Sequence, residues 1–303
     1  MKTQTKTVLA SIGILLLAVA GEILAITHSG NPKQEISKKV HANTDPQTVF
    51  FQSDRISEVR ADLSSCNLKI SVWDESKLEL TIDSNRTQAD RPYAQLEGNT
   101  VIIKENFSER PDFSFDKTSI NIKIPRYLTE KNVNFSVMLD VTSGAVKVEG
   151  LHCTSFSAAT ISGRIILDDS CFSSGLKLNS TSGSIICTDI SAGSVTADCV
   201  SGNIDFAGNC KKIEAETVSG YIHFASNIMP VDECSFSSTS GSINLDLPEN
   251  NGYTLDYEIL SGLLTDAFSN TKTKGRGTDI YKDGTTAIKI KTTSGNINVT
   301  RRN

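Results

Sequence analysis

The chain has 303 residues, with 30 Lys plus Arg against 35 Asp plus Glu and a formal net charge of −5. That balance argues against a nucleic-acid partner, since phosphate binding needs basic surface. Hydrophobic residues make up 38% and aromatic residues 6%, so a sizeable core is available, filled by small and β-branched side chains.

Residues 1–7 form a short N-terminus carrying Lys2 and Lys6. Residues 8–26 are apolar except for Ser11, Gly13, Gly21 and Glu22, long enough to cross a bilayer. This predicts a single transmembrane helix, with membrane lipid as its partner, residues 1–7 in the cytoplasm and everything beyond outside. The alternative is a secretory signal cleaved after Ala18-Val19-Ala20, which Glu22 favours because a carboxylate within a span is costly. Lys33, Lys38 and Lys39 follow the segment, so charge asymmetry does not fix its orientation. Residues 27–48 are polar, contain Pro32 and Pro46, and show no periodicity, which reads as a tether.

Residues 49–136 hold short alternating strands. Leu68, Ile70 and Val72 alternate, as do Leu78, Leu80 and Ile82, and then Ile120, Ile122 and Ile124. Asn106 to Lys117 is polar and reads as a loop. This region predicts irregular first coils or a β cap over an otherwise exposed end.

Residues 137–303 repeat one phrase, Ser-Gly followed by a strand. The glycines are Gly144, Gly163, Gly183, Gly202, Gly220, Gly241, Gly262 and Gly295, at steps of 19, 20, 19, 18, 21, 21 and 33. Such a period marks a repeat architecture. Aligned on the glycine, the positions seven and five before it and two and four after it are apolar in every copy except at Asp266. Offsets that differ by two are strand alternation, not helix period. One unit cannot cover its own apolar face, whereas stacked units cover each other. The prediction is an all-β fold, a parallel β-solenoid, right-handed by the usual sense of parallel crossovers. The rival is an antiparallel sandwich with regular turns. The glycine suits a corner needing positive φ or close backbone approach, and the small residues three before it fit a cramped bend. The long last step contains residues 270–284, glycine-rich and basic with Lys272, Lys274, Arg276 and Lys282, which read as a loop: a binding loop, a lid on the end, or a solvated insertion.

Candidate chemistry is sparse. Asp198, Glu214, Glu216, Asp256 and Glu258 fall at outward offsets and are expected on one face of the fourth to seventh turns. Asp198 and Glu216 on adjacent coils would lie about 5 Å apart. That suits a hard cation, or the carboxylate pair of a retaining glycosidase, or an ordinary solvated acidic face. No aromatic row flanks the patch to stack sugar rings. Cys187, Cys199 and Cys234 fall at inward offsets, as small hydrophobes would. Cys153 and Cys171 lie on return arcs of adjacent turns, where an exported domain could join them if their Cα atoms came within about 7 Å. No paired Cys-x-x-Cys or His-x-x-x-His spacing exists, so neither a metal nor a cofactor is expected. His223 faces outward near Asp205 of the previous coil.

Three segments carry a family resemblance. Ile120 to Glu149 (INIKIPRYLTEKNVNFSVMLDVTSGAVKVE) resembles the strand, Pro, strand, Ser-Gly, strand entry of the bacterial DUF4097 family. The Ser-Gly-x-Ile ladder resembles its body, and Ala287 to Val299 (AIKIKTTSGNINV) its closing repeat. The match covers Val49 to Thr300. The seven cysteines, Tyr221 and His223 are not features of that family. The resemblance implies a β-solenoid of the cell envelope, often labelled an adhesin and often set behind a membrane helix, and it transfers no catalytic motif. The functional expectation is therefore a non-enzymatic surface interaction domain whose partners are cell-wall polymers or an envelope protein. The alternatives are an envelope-stress regulator acting through a membrane partner, and a carbohydrate-active β-helix enzyme using the acidic patch.

Overall fold

A computed structural model describes residues 45–105, 117–130 and 134–302. The expected transmembrane segment, and the tether up to residue 44, lie outside the described residues, as do residues 106–116 of the expected loop. No helix among the described residues is long and apolar enough to cross a membrane.

The described chain is all-β. Its strands are β1 Gln47–Gln52, β2 Glu58–Ser65, β3 Asn67–Trp73, β4 Lys77–Ser84, β5 Tyr93–Glu97, β6 Thr100–Lys104 and β7 Thr118–Pro125. Then come β8 Ser136–Ser143, β9 Val146–Glu149, β10 His152–Ser162, β11 Ile165–Ser180, β12 Ile185–Ser201, β13 Ile204–Ser219 and β14 Ile222–Ala225. The last are β15 Cys234–Ser240, β16 Ile243–Leu247, β17 Gly252–Asp266, β18 Thr271–Lys282, β19 Thr286–Ser294 and β20 Ile297–Arg301.

Each Ser-Gly corner joins a strand of one wall to a strand of a second wall, and the walls are parallel ladders in a solenoid-like stack. In the second wall Ile185 pairs with Ile204, Ile204 with Ile222, Ile222 with Ile243, and Ile243 with Ile297. Each of these isoleucines is 1% exposed or less, so the column is continuous core. The next column carries Phe206 and Phe224, whose ring centroids are 5.8 Å apart. Short return arcs pair across a third side from β10 to β13.

The corner explains the glycine. A Cβ on Gly163 would overlap the carbonyl oxygen of Gly144, and one on Gly183 the carbonyl of Gly163. The same holds from each corner to the next through Gly202, Gly220 and Gly241. The small residue three before the glycine also has a bonding role. The hydroxyls of Thr217, Ser238 and Thr292 donate to the carbonyls of Gly202, Gly220 and Gly241 at 3.1, 3.3 and 3.1 Å. On the other side of the corner, Asn67, Asn203 and Asn296 accept from the backbone N–H groups of Ala145, Tyr221 and Leu263 at 3.0–3.1 Å. The corner is thus a polar seam whose backbone groups are satisfied between coils.

Two expectations need correction. The coils do not stack in chain order. The last repeat, β19–β20, lies between the Gly241 coil and β17: Ser294 pairs with both Ser240 and Ser261, and Cβ positions on Gly295 and Gly262 would meet the carbonyls of Gly241 and Gly295. The other end is arranged alike, with β2–β3 between the β6–β7 coil and the β8–β9 coil. Secondly, residues 270–284 are not a loop: β18 pairs antiparallel with almost the whole of β17. Its lysines and glycines, which resemble loop signals, are the residues that blunt an edge strand against further pairing. Antiparallel strands also cover the opposite end, β5 on β6 and β4 with β1 on β7.

Asp266, the one polar residue in an apolar column, sits on this last coil and is 1% exposed. Tyr253 donates its hydroxyl to it at 2.6 Å and the Phe268 N–H at 2.8 Å, beneath a cluster of Tyr253, Phe268 and Tyr281. The carboxylate closes the core where no further coil supplies an apolar neighbour. All seven cysteines are free, and the register sets Cys153 opposite Phe172 and His152 opposite Cys171, one residue out of step for the expected pair.

Gly183→Ala should lower unfolding free energy by roughly 1–3 kcal/mol, the range for overpacking. Gly98→Asn, at an open turn with φ 61°, should stay within about 0.5 kcal/mol of wild type. Urea titration of both variants checks this.

Candidate functional site

The outward positions of the first wall carry the expected acidic patch, and the coil order divides it. Asp198 on β12 stands directly opposite Glu216 on β13, and Glu214 is opposite Thr196. The next coil brings Ser237 opposite Glu216, and the one after that brings Lys291 opposite Ser237. Only then comes Glu258. Asp198, Glu214 and Glu216 therefore gather, whereas Asp256 and Glu258 lie beyond two intervening coils and are engaged there. Glu258 pairs with Lys291 at 3.1 Å, and Asp256 accepts from the Thr278 hydroxyl at 2.7 Å.

Partial burial, followed by repulsion from Glu216 and Glu214, pushes the Asp198 carboxyl up to about 6, with Lys177 opposing. Burial and Glu214 push Glu216 upward as well. Such a pair can share a proton or take up a cation in solution. It stands on an open wall. The groove of ≈ 270 Å³ on the same wall is lined by Met138, Phe156, Lys177 and Ser194 among others, and the cleft of ≈ 530 Å³ by Ile228, Met229, Val231 and Pro248 among others; neither includes the acidic trio. Among the described residues no cluster of His, Cys, Asp and Glu is arranged to hold a metal ion.

The second wall holds a tighter arrangement that the sequence disclosed only in part. His223 on β14 has Nδ1 2.9 Å from Asp205 of β13 and Nε2 2.9 Å from Asp246 of β16. A carboxylate only accepts, so the two bonds are made together when the ring is protonated and both of its nitrogens donate. Burial alone would lower its pKa, but the bonds to Asp246 and Asp205 outweigh that and raise it. Asp246 also accepts from the Thr300 hydroxyl of the next coil, and although burial raises its carboxyl, Thr300 and His223 together hold it below the usual range. Asp205 and His223 share an offset, three after their glycines, so their contact was readable; Asp246 is five after its own, and two-residue diagonal contacts escape a comparison of equal offsets. The arrangement rivets three successive coils.

The sequence profile of the Toastrack DUF4097 family matches residues 24–300, nearly the full chain. This chain belongs to the DUF4097 family. Among solved structures, it is similar to a putative adhesin from Parabacteroides merdae, with 13% identity over 86% of this chain and 98% of that one and a TM-score of 0.46. It is similar to a putative adhesin from Bacteroides fragilis, with 14% identity over 84% and 97% and a TM-score of 0.44. A third, from Parabacteroides distasonis, is a putative lipid-binding protein, with 17% identity over 85% and 98% and a TM-score of 0.34. No curated protein matches the chain.

Two pH dependences follow for this DUF4097 chain. The raised pKa of His223 means its stabilisation is complete below the unfolded value of about 6.5 and is lost as pH rises through the folded value. The melting-temperature gap between wild type and His223→Gln should therefore be widest near pH 5.5 and narrow at alkaline pH. Asp198 has the opposite consequence. A carboxyl raised to about 6 destabilises the folded chain when ionised, so Asp198→Asn should stabilise at pH 7.5 by roughly 1–2 kcal/mol, and the gain should fade as pH drops through 6. Thermal melts across that range measure both.

Proposed function

We propose that this DUF4097 chain is a membrane-tethered, extracytoplasmic interaction domain that acts by display, without chemistry of its own. In this reading residues 8–26 anchor the chain, the residues from 27 up to the start of β1 at Gln47 are the spacer, and a right-handed β-helix holds its outer walls away from the bilayer. The observation that carries the reading is the register. Every coil repeats the same outward offsets, so side chains of the two walls stand in straight rows at the strand spacing of about 4.8 Å. Rigid rows suit multivalent contact with an extended polymer or with a flat partner surface, because little conformational entropy is lost on binding.

One observation favours an enzymatic reading: a raised carboxyl, Asp198, beside a second carboxylate. The display reading has more support, because the trio stands on an open wall apart from both grooves, and a general acid works on a substrate held in place and shielded from water.

The test has two parts. Protease added to intact cells should remove the strand region and leave the anchor behind. The purified full-length chain should bind isolated cell envelopes saturably, and Asp198→Asn/Glu216→Gln should bind as well as wild type. Protection of the chain in intact cells, or no saturable envelope binding, would sink the display reading. Release of soluble sugars from wall glycans by wild type but not by the double variant would establish the enzymatic one.

A further inference from the structure

The end of the stack opposite β1 is formed by β18, which pairs with β17 on one side and leaves its other edge open among the described residues. Burial along β18 alternates: Thr271, Thr273, Asp279 and Tyr281 are half-buried, while Lys272, Lys274, Arg276, Thr278, Ile280 and Lys282 are exposed. The exposed set alternates along the strand, with neighbours roughly 7 Å apart, and follows β17 round the Gly262 corner: Lys272 stands opposite Thr265 of the second wall, Arg276 opposite Glu258 of the first, and Lys274 at the bend between them. Lys282 is already held by Glu249 at 2.7 Å. Lys272, Lys274 and Arg276 form no ion pair among the described residues. Glu258, which faces Arg276 across the pair of strands, bonds to Lys291 instead. Arg276 stands between Gly275 and Gly277, so no neighbouring side chain on its strand screens it. On a chain of net charge −5, this is a concentrated cationic strip at an exposed tip, with the strand's outer backbone N–H groups alongside.

We infer that the open edge of β18, with Lys272, Lys274 and Arg276, is a docking strip for a linear polyanion that carries a phosphate in each repeat unit. This rests on the display reading and names the partner class of its outermost surface. Three features carry the choice of occupant. The cations are single and regularly spaced and follow the strand edge round the corner, which suits a flexible polymer bearing one charge per repeat unit. Lys and Arg at consecutive outward positions bond phosphate oxygens from the side chain while the strand edge offers N–H donors beside them. β1, the first described strand, pairs at the opposite end of the stack, so the strip and β1 occupy its two extremes. A lipid surface is the less suited occupant. Leu260, 82% exposed, lies at the neighbouring corner, but Ile280 is the sole large apolar side chain on the row itself, and bilayer contact needs a broader apolar face.

The probe is immobilised long-chain inorganic polyphosphate, with the full-length chain in detergent as analyte. Wild type should bind with an affinity that falls steeply as salt rises. Lys272→Gln/Lys274→Gln/Arg276→Gln should weaken binding about tenfold or more at low salt and flatten the salt dependence, with an unchanged melting temperature because all three side chains are exposed. Asp198→Asn should bind polyphosphate like wild type. Equal binding by the triple variant overturns the proposal. So does retention on phosphatidylglycerol vesicles that exceeds retention on polyphosphate and is lost in Leu260→Ser, which would assign the strip to a membrane. Salt-sensitive self-association of wild type without polymer, abolished in the triple variant, would assign it to a second copy. Since envelope binding is measured separately, loss of the strip leaves the display reading standing, and loss of envelope binding leaves polyphosphate binding measurable.

Discussion

The structure depends on how closely one corner approaches the next. Parallel strands fix the distance between coils, and at each Ser-Gly corner the backbone turns so tightly that the glycine's missing Cβ would occupy the carbonyl oxygen of the neighbouring corner. A side chain there would force coils apart at one edge, and the strain would spread along both walls because they share the turn. Removing side chains exposes backbone polar groups, and several of these are satisfied sideways, by the hydroxyls of Thr217, Ser238 and Thr292 three residues before a glycine, by Asn203 and Asn296 one residue after one, and by Asn67 after Cys66. Corner geometry and corner composition are one requirement, which is why the same few residue types recur.

That requirement was legible because it repeats. Equal offsets from each glycine gave the inward columns from Val137 to Val299, and the structure pairs them as counted. The order of the coils was not legible, for the same reason. Repeats with identical offsets can replace one another in the stack, and nothing in the Gly262 and Gly295 phrases says which lies next to Gly241. The step of 33 residues was one signal that the chain goes out to the end and comes back inside it. Asp266 was a second signal, visible as an exception but not interpretable until its coil proved to be the terminal one.

The coil order, in turn, decides what the outer walls present. Read in chain order, five carboxylates form one patch. With β19 inserted, Lys289 and Lys291 stand between the two halves, and Asp256 and Glu258 become partners of a basic coil and a basic edge strand. The reading of residues 270–284 failed through similar logic. Glycine and lysine signal a turn inside a chain and also mark a protected sheet edge, and only the position of β17 at the end of the stack distinguishes the two uses.

A register-true stack places like side chains at strand spacing, so any repeated charge must be neutralised or kept apart. The walls show three solutions. Between Asp198 and Glu216 a proton is the remedy, since partial burial and repulsion favour the neutral carboxyl near pH 6. Between Glu258 and its neighbours the remedy is a lysine supplied by the inserted coil. Between Asp205 and Asp246 it is the His223 imidazolium, which turns a repulsive diagonal into a rivet across three coils. Among the described residues Lys272, Lys274 and Arg276 of β18 have no such answer, because no further coil lies beyond them to supply one. Charge left uncompensated at the end of an otherwise balanced stack is charge available to something outside it.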